Sequence, residues 1–142
     1  NVPIIIMHMQ GIPKTMQAQP KYNNLIDDIL NFFEIKIKAM KNDFNLSDNQ
    51  IIIDPGIGFG KSRKDNYSII DNIYKFKQFG FPVLIGLSRK SFLSIDDDKP
   101  ESRKLISLQM QSIALYNGAD CIRTHDVKDT YNSLRVIDRF KK

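Results

Sequence analysis

The segment Asp54–Lys61, with the sequence DPGIGFGK, limits the possible folds of this chain more than any other segment. It follows three consecutive isoleucines, Ile51 to Ile53, a pattern typical of a short strand that is buried on both faces. The alternating glycines predict a loop with unusual backbone angles or a close approach to a ligand. A carboxylate at the carboxyl end of a buried parallel strand is where α/β folds commonly place their chemistry.

Two phosphate-binding motifs share parts of this segment, and both are excluded. A P-loop needs a glycine where this chain has Pro55, although Gly60-Lys61-Ser62 matches the end of that motif. A dinucleotide-binding fingerprint that starts at Gly56 needs its last glycine where the chain has Lys61. The alternative without a function is a glycine-rich turn between a strand and a helix.

The composition is that of an ordinary globular domain. The chain has 142 residues, of which 42% are hydrophobic and 26% are charged. Its apolar runs are far shorter than the ~20 residues of a transmembrane helix, so we expect no membrane partner. A single cysteine, Cys121, and the absence of a basic leader followed by an apolar stretch lead us to expect a cytoplasmic protein.

The net charge of +5 restricts the possible partners. The lysines and arginines are scattered rather than clustered, which argues against a nucleic acid partner. A small anionic substrate fits the charge better. The two histidines and one cysteine form no zinc-binding pattern.

Apolar periodicity predicts four strands that alternate with four helices. The predicted strands cover residues 2–9, 50–54, 81–87 and 119–124, and the predicted helices cover residues 22–42, 66–79, 102–117 and 128–140. Residues 96–100 are predicted to form an exposed, charged loop.

The order βαβαβαβα indicates an α/β fold with a parallel sheet and right-handed crossovers. It fits a small doubly wound sheet or half of a (β/α)8 TIM barrel, since a complete barrel takes about 250 residues. The chain opens abruptly in a strand, which favours a piece of a larger fold.

Polar residues follow every predicted strand, and in either fold the carboxyl ends of the strands meet on one face. These residues are His8, Gln10, Asp54, Ser88, Arg89, Lys90, Ser91, Arg123, His125 and Asp126. Arginine and lysine side chains there would bind an anion. Each residue also has a structural alternative. His8 could be a buried, hydrogen-bonded histidine, Asp126 a helix N-cap, and Arg89 a solvated loop charge.

Four motifs, in order along the chain, resemble dihydropteroate synthase. They are Met7–Gln17 (MHMQGIPKTMQ), Asp54–Lys61 (DPGIGFGK), Gly86–Ser91 (GLSRKS) and Arg123–Val127 (RTHDV). They correspond to the C-terminal half of the family's TIM barrel, strands five to eight. By this resemblance residues 1–142 are a single partial domain, the second half of a pterin-binding barrel.

The resemblance implies an activity in folate biosynthesis. The family condenses 6-hydroxymethyl-7,8-dihydropterin diphosphate with p-aminobenzoate, which gives dihydropteroate and diphosphate, and sulfonamides occupy its p-aminobenzoate site. Mg2+ is expected to bind with the diphosphate, through a ligand in the family's other half and none in this chain. A homodimer formed through helices of this half is also implied.

The resemblance assigns site residues by matching motif positions. Pterin binding is assigned to Met7, Asp54, Gly86, Lys90 and Arg123, and diphosphate binding to Arg123 and His125. The p-aminobenzoate site is assigned to Phe59, Ser88, Arg89, Lys90 and Ser91. Lys90, Arg123 and His125 are the expected catalytic residues, and no covalent enzyme intermediate is expected.

Two departures from the family pattern leave alternatives open. The family's first four strands have no counterpart here, so we expect that this chain alone, as a monomer, is not a competent enzyme. Ile106-Ser107 also stands where the family has a Gly-Ser pair. One alternative is a non-catalytic half barrel that binds pterin or phosphate, or a degenerate paralogue. Another is a pterin-binding methyltransferase, against which Ser88-Arg89-Lys90 argues.

Overall fold

The computed structural model describes residues 2–95 and 99–140, so residues 96–98 of the predicted charged loop lie outside the described residues. Parallel strands alternate with helices, as the sequence predicts. The strands are β1 (Ile4–Met7), β2 (Ile51–Asp54), β3 (Leu84–Ile85) and β4 (Cys121–Ile122). The helices are α1 (Leu25–Phe44), α2 (Arg63–Asp71), α3 (Ile73–Phe76), α4 (Lys104–Tyr116) and α5 (Val127–Phe140).

The strands lie in chain order. β1 and β2 are parallel over their full length, with Ile4 opposite Ile51 and Met7 opposite Asp54. β3 and β4 form a second parallel pair. A single bridge between Ile53 and Val83 joins the two pairs. The carboxyl ends of all four strands therefore face the same way.

β3 and β4 are shorter than the predicted strands 81–87 and 119–124. Pro82 has no N–H to donate to a ladder, and its carbonyl accepts a single bond from the Ile53 N–H at 3.0 Å. Beyond Ile85 the chain leaves the sheet at Gly86, across which the guanidinium group of Arg123 lies. The regular ladder is therefore confined to two residues in each strand.

The helices begin and end where side chains satisfy the backbone. α2 begins at Arg63, three residues before the predicted start, because Ser62 and Asp65 form a capping box. Asn72 interrupts the predicted helix 66–79, since its side-chain amide donates to the Ser68 carbonyl at 2.9 Å. Gly80, with φ +73°, ends the segment as predicted.

The core lies between the helices and the sheet. α1 buries Ile26, Ile29, Phe33 and Ile37, which are spaced three and four residues apart. Phe33 packs edge-on against Phe76 of α3, with ring centroids 6.1 Å apart. Of the described helices, none has the length and apolar composition needed to cross a membrane.

Candidate functional site

Two neighbouring clefts open at the carboxyl ends of the strands. The Arg123 cleft, of about 220 Å³, is lined by Gly86, Ser88, Lys90, Arg123, Thr124 and His125. The lining of the larger Phe59 cleft, of about 510 Å³, includes Gly58, Phe59, Lys61, Asn66, Lys90 and Ser91. Lys90 lines both clefts. The structure thus brings seven of the ten predicted site residues to two adjoining spaces.

Asp54 is buried at the end of β2, and its carboxylate folds back onto the glycine loop. Oδ1 of Asp54 accepts a hydrogen bond from the Gly56 N–H at 2.7 Å. Burial raises the pKa of the Asp54 carboxyl, while the Gly56 N–H and the nearby charges of Lys90 and Arg123 act in the opposite direction. The residue therefore both closes the loop and places a carboxyl group among cations.

The glycine loop lies directly against the chain that follows β1. Gly56 has a φ of +73°, and a Cβ at this position would lie 1.9 Å from the carbonyl oxygen of His8. Only glycine permits this backbone approach. Further along the loop, the Gly58 N–H donates to Oδ1 of the buried Asn66 at 2.7 Å. The loop therefore packs against the chain that follows β1 and is hydrogen-bonded to α2.

Lys90 holds the boundary between the two clefts. Its Nζ lies 4.3 Å from the centroid of the Phe59 ring and donates a hydrogen bond to the Ile57 carbonyl. Desolvation by burial, followed by the charge of Arg123, lowers the pKa of Lys90 to about 8, against the opposing effect of Asp54. With a pKa of about 8, the amine stays mostly charged at physiological pH but loses its proton more readily than an exposed lysine.

Lys61, for which the sequence indicates no role, is only 3% exposed. Its Nζ lies 2.9 Å from Nδ1 of His8 and donates to the Phe59 carbonyl at 3.0 Å. Desolvation by burial lowers the pKa of Lys61 to about 7, and Asp54 opposes that effect. Burial also lowers the pKa of His8 to about 4, and the charge of Lys61 adds to this. The structural alternative for His8, a buried and hydrogen-bonded histidine, is confirmed.

Arg123 and His125 lie on the loop that follows β4. The guanidinium group of Arg123 lies across the backbone of Gly86, so that a Cβ there would be 2.8 Å from Nη2. Nδ1 of His125 is 3.0 Å from Oγ of Ser88. The segment after β3 therefore positions both side chains. Gly86 leaves room for the Arg123 guanidinium group, and the Ser88 hydroxyl group contacts the His125 ring.

Arg89 forms an internal ion pair. Its Nε and Nη2 donate to the two carboxylate oxygens of Asp126 at 3.1 and 2.7 Å. These bonds lower the pKa of Asp126. The backbone of Arg89 is left-handed, with φ 56°, and its N–H donates to Oγ of Ser107 at 2.8 Å. Asp126 immediately precedes α5, as an N-cap would, but its carboxylate is directed to Arg89.

Met7, Asp54 and Arg89 are the predicted site residues that line neither cleft. Met7 is half-buried and lies opposite Asp54 in the sheet. Behind the Arg123 cleft, the fully buried Gln111 donates to Oγ1 of Thr124 at 3.2 Å and accepts from Thr130 at 2.7 Å. Nothing in the sequence around Gln111 indicates this contact.

Metal ligands do not cluster in the part of the chain that the structure describes. Within residues 2–95 and 99–140, no group of three His, Cys, Asp or Glu side chains is arranged to hold a metal ion. Asp126, the carboxylate next in sequence to His125, is paired with Arg89.

The fold and the residues at the strand ends define a member of the pterin binding enzymes. The sequence model of that family matches residues 1–125, and the chain belongs to it. Within the family, the resemblance to dihydropteroate synthase is confirmed by curated relatives and by solved structures.

Among the curated relatives, the dihydropteroate synthase of Haemophilus influenzae is 42% identical over 136 residues, which are 95% of this chain and 49% of that protein. The Yersinia pestis dihydropteroate synthase, solved as a sulfonamide drug complex, has a TM-score of 0.93 and 35% identity, and covers 98% of this chain and 51% of that one. The Xanthomonas albilineans dihydropteroate synthase, solved with 4-aminobenzoic acid, has a TM-score of 0.88 and 32% identity. That match covers 99% of this chain and 50% of the Xanthomonas chain. The chain thus spans about half the length of the relatives it matches.

Proposed function

We propose that this chain forms the C-terminal half, strands five to eight, of a dihydropteroate synthase barrel, as a single partial domain. The proposed reaction condenses 6-hydroxymethyl-7,8-dihydropterin diphosphate with p-aminobenzoate and releases diphosphate. The observation that carries the proposal is the position of Lys90 between a cleft with Arg123 and His125 and a cleft with Phe59 and Ser91. A reaction that joins two small molecules needs two adjoining binding spaces.

The half-barrel proposal is supported by the exposed surface of β1. Strands of a parallel sheet are normally buried on both faces. Here Ile5 is 51% exposed and Ile4 is 37% exposed, although both belong to β1. The relatives have about the same length again beyond the matched region. We propose that strands from that other half cover β1.

The Arg123 cleft is the proposed site of the pterin diphosphate. Gly86 would line the ring from within the cleft. Asp54, which lies outside the cleft lining but near the charges of Lys90 and Arg123, would bind the polar edge of the pterin with help from Lys90, and Met7, opposite Asp54 in the sheet, would complete the ring pocket. The guanidinium plane of Arg123 would stack on the pterin. Arg123 and His125 would hold the diphosphate as its C–O bond breaks, because fixed positive charges stabilise negative charge that develops on a leaving group.

The Phe59 cleft is the proposed site of p-aminobenzoate. Phe59, Lys90 and Ser91 line it, and Ser88 and Arg89 would shape it through the loop they share. An arylamine is a neutral nucleophile, so this cleft needs mainly to position the amine opposite the pterin methylene carbon. No covalent bond to the enzyme is required. In the Yersinia relative, a sulfonamide drug is bound.

Three further parts of the proposal rest on the resemblance and, for the location, on the cysteine content. Mg2+ would accompany the diphosphate and neutralise part of its charge. A homodimer would form through helices of this half. A folate-pathway transferase with the single cysteine Cys121 would act in the cytoplasm.

The experiment that tests the proposal measures diphosphate release in the presence of p-aminobenzoate and Mg2+. The intact protein here means residues 1–142 together with the proposed other half of the barrel. We expect it to release diphosphate. Residues 1–142 as a monomer should release none but should still bind diphosphate. If the intact protein binds the pterin diphosphate without turning it over, the non-catalytic alternative is correct. Turnover by the 142-residue monomer would contradict the half-site proposal.

A further inference from the structure

The ammonium group of Lys61 is buried among polar atoms that belong to three different segments. It lies 2.9 Å from Nδ1 of His8, which follows β1, and 3.0 Å from the carbonyl oxygen of Phe59 in the glycine loop. It also lies 3.5 Å from the His8 carbonyl oxygen. Burying an amine is costly unless hydrogen bonds compensate for the lost water. The contacts to His8 and Phe59 supply that compensation.

Phe59 is the residue through which these contacts reach the candidate site. Its carbonyl group accepts from Lys61, while its ring lies under Nζ of Lys90 at 4.3 Å. Gly58 and Gly60 flank Phe59, and both have positive φ, a conformation that glycine adopts readily. The position of the ring therefore depends on the contacts that hold this backbone. Gln17 donates to the Gly58 carbonyl and Tyr22 to the Gly60 carbonyl, and Lys61 holds the Phe59 carbonyl between them.

We propose that Lys61 is a positioning residue of the Phe59 cleft: its amine, bound between the His8 ring and the Phe59 carbonyl, fixes the glycine loop so that the Phe59 ring supports Lys90. Lys61 acts through Phe59 and Lys90 and is not assigned to the reacting atoms. Both the charged and the neutral amine carry N–H donors, so the contact does not depend on one protonation state. The inference rests on the proposed function only where it assigns p-aminobenzoate to this cleft.

The substitution Lys61→Met tests this role in the intact protein, because methionine keeps a flexible apolar chain and removes the amine. Lys64→Met, at an exposed lysine of α2, is the matched control. His8→Phe is a second variant, which removes the Nδ1 acceptor but keeps a ring beside Phe32, whose centroid is 5.0 Å away. This variant retains the Phe59 contact, and we expect an intermediate effect from it.

The first measurement needs no substrate. In the wild-type protein the Phe59 ring should shift the NMR signals of the Lys90 side-chain methylene protons upfield, and Lys61→Met should reduce that shift by at least about half if the ring moves away from a cation–π contact. Lys64→Met should leave it unchanged. An unchanged shift in folded Lys61→Met would overturn the proposal. If Lys61→Met does not fold, an unchanged shift in His8→Phe decides against it.

The second measurement compares the two clefts by titration. Lys61→Met should weaken p-aminobenzoate binding about tenfold or more, since loss of positioning by ~1 Å is costly. Diphosphate binding at Arg123 and His125 should change less than about twofold, within the range of substitutions away from a site. Equal loss of both affinities would indicate a general structural role and contradict the proposal. A wild-type protein that binds no p-aminobenzoate would contradict the proposed function, and the NMR shift would still judge the role of Lys61.

Discussion

The guanidinium group of Arg89 and the carboxylate of Asp126 form a two-point ion pair, at 3.1 and 2.7 Å, that ties the loop after β3 to the loop after β4. Each member is the chain neighbour of a predicted catalytic residue, Lys90 in one case and His125 in the other. The pair therefore relates the positions of two side chains that face the Arg123 cleft. Arg89 and Asp126 line neither cleft, but they position their neighbours Lys90 and His125, which do.

We expect Asp126→Asn to lower kcat/KM about tenfold or more, because an amide cannot accept both guanidinium bonds and positioning errors near ~1 Å are costly. Steady-state kinetics of the intact protein check this expectation. Asp129→Asn, in the first turn of α5 and paired with Lys104 at 2.7 Å, is the control and should leave the rate near wild type. Similar losses in both variants would argue against a specific role for the Arg89–Asp126 pair.

Lys90→Ala should remove several kcal/mol of transition-state stabilisation if Lys90 contacts both substrates. The position of its side chain in both clefts is the reason for this expectation. The measurement is kcat/KM for each substrate, with Lys64→Ala as the control at an exposed lysine. Activity near wild type in Lys90→Ala would remove Lys90 from the proposed mechanism.

Gly86→Ala should displace Arg123 without unfolding the protein. The added Cβ would lie 2.8 Å from Nη2 of Arg123, and the end of a long side chain can move away. Diphosphate affinity, measured by calorimetry, should fall about tenfold, because the Arg123 guanidinium group would no longer be in position to bind it. The free energy of unfolding should change by less than about 1 kcal/mol. Unchanged diphosphate affinity would mean that Arg123 does not need its contact with Gly86.

Gly56 and Gly80 form a matched pair for testing the close approach of the glycine loop to β1. Both have φ +73°, so alanine should cost each about 1–2 kcal/mol of backbone strain. A Cβ at Gly56 would lie 1.9 Å from the His8 carbonyl oxygen, whereas one at Gly80 meets no atom within 4 Å. Gly56→Ala should therefore cost about 1–3 kcal/mol more than Gly80→Ala in urea unfolding. Equal costs would show that the loop yields at this point.

Lys61 should make the stability of the protein depend on pH. Its folded pKa is lowered to about 7 from 10.5, so between these values the unfolded chain binds more protons. The free energy of unfolding should consequently rise with pH from about 7 towards 10, by at most about 1.4 kcal/mol per pH unit from this group. Below pH 7 the cost of the buried charge is fully present.

Urea unfolding of wild type and Lys61→Met at several pH values measures this contribution. The groups that act on Lys61 are Asp54, Lys90, Asp65 and His8. Lys90 also has a lowered pKa, of about 8, and contributes a slope of the same sign, which Lys90→Ala removes separately. If the free energy of unfolding depends on pH identically in wild type and Lys61→Met, the lowered pKa of Lys61 is contradicted.

Much of the fold follows from local sequence. Ile51–Asp54 was predicted almost to the residue because three isoleucines and a glycine loop mark both of its ends. The break at Asn72 was missed, since an asparagine inside an apolar helical pattern reads as an exposed position until its side chain bonds the preceding turn. The early start of α2 could have been found from the Ser62–Asp65 spacing.

The candidate site was harder to predict, because its contacts join distant segments. The carboxyl-end placement of Asp54, Lys90 and Arg123 follows from the order of strands and helices. The Arg89–Asp126 pair depends on a left-handed backbone at Arg89, which no local residue preference indicates. Lys61 stood in the central motif, but only the fold brings its amine to His8, which lies 53 residues earlier in the chain.

A dihydropteroate synthase site at these strand ends is tested most directly by p-aminobenzoate-dependent release of diphosphate by the intact protein, compared with the same reaction of Arg123→Ala. We expect release by the wild-type protein that requires both substrates, and a loss of several kcal/mol of transition-state stabilisation in Arg123→Ala. Release that is unchanged by Arg123→Ala, or no release although both substrates bind, would contradict the claim that these strand ends form a dihydropteroate synthase site.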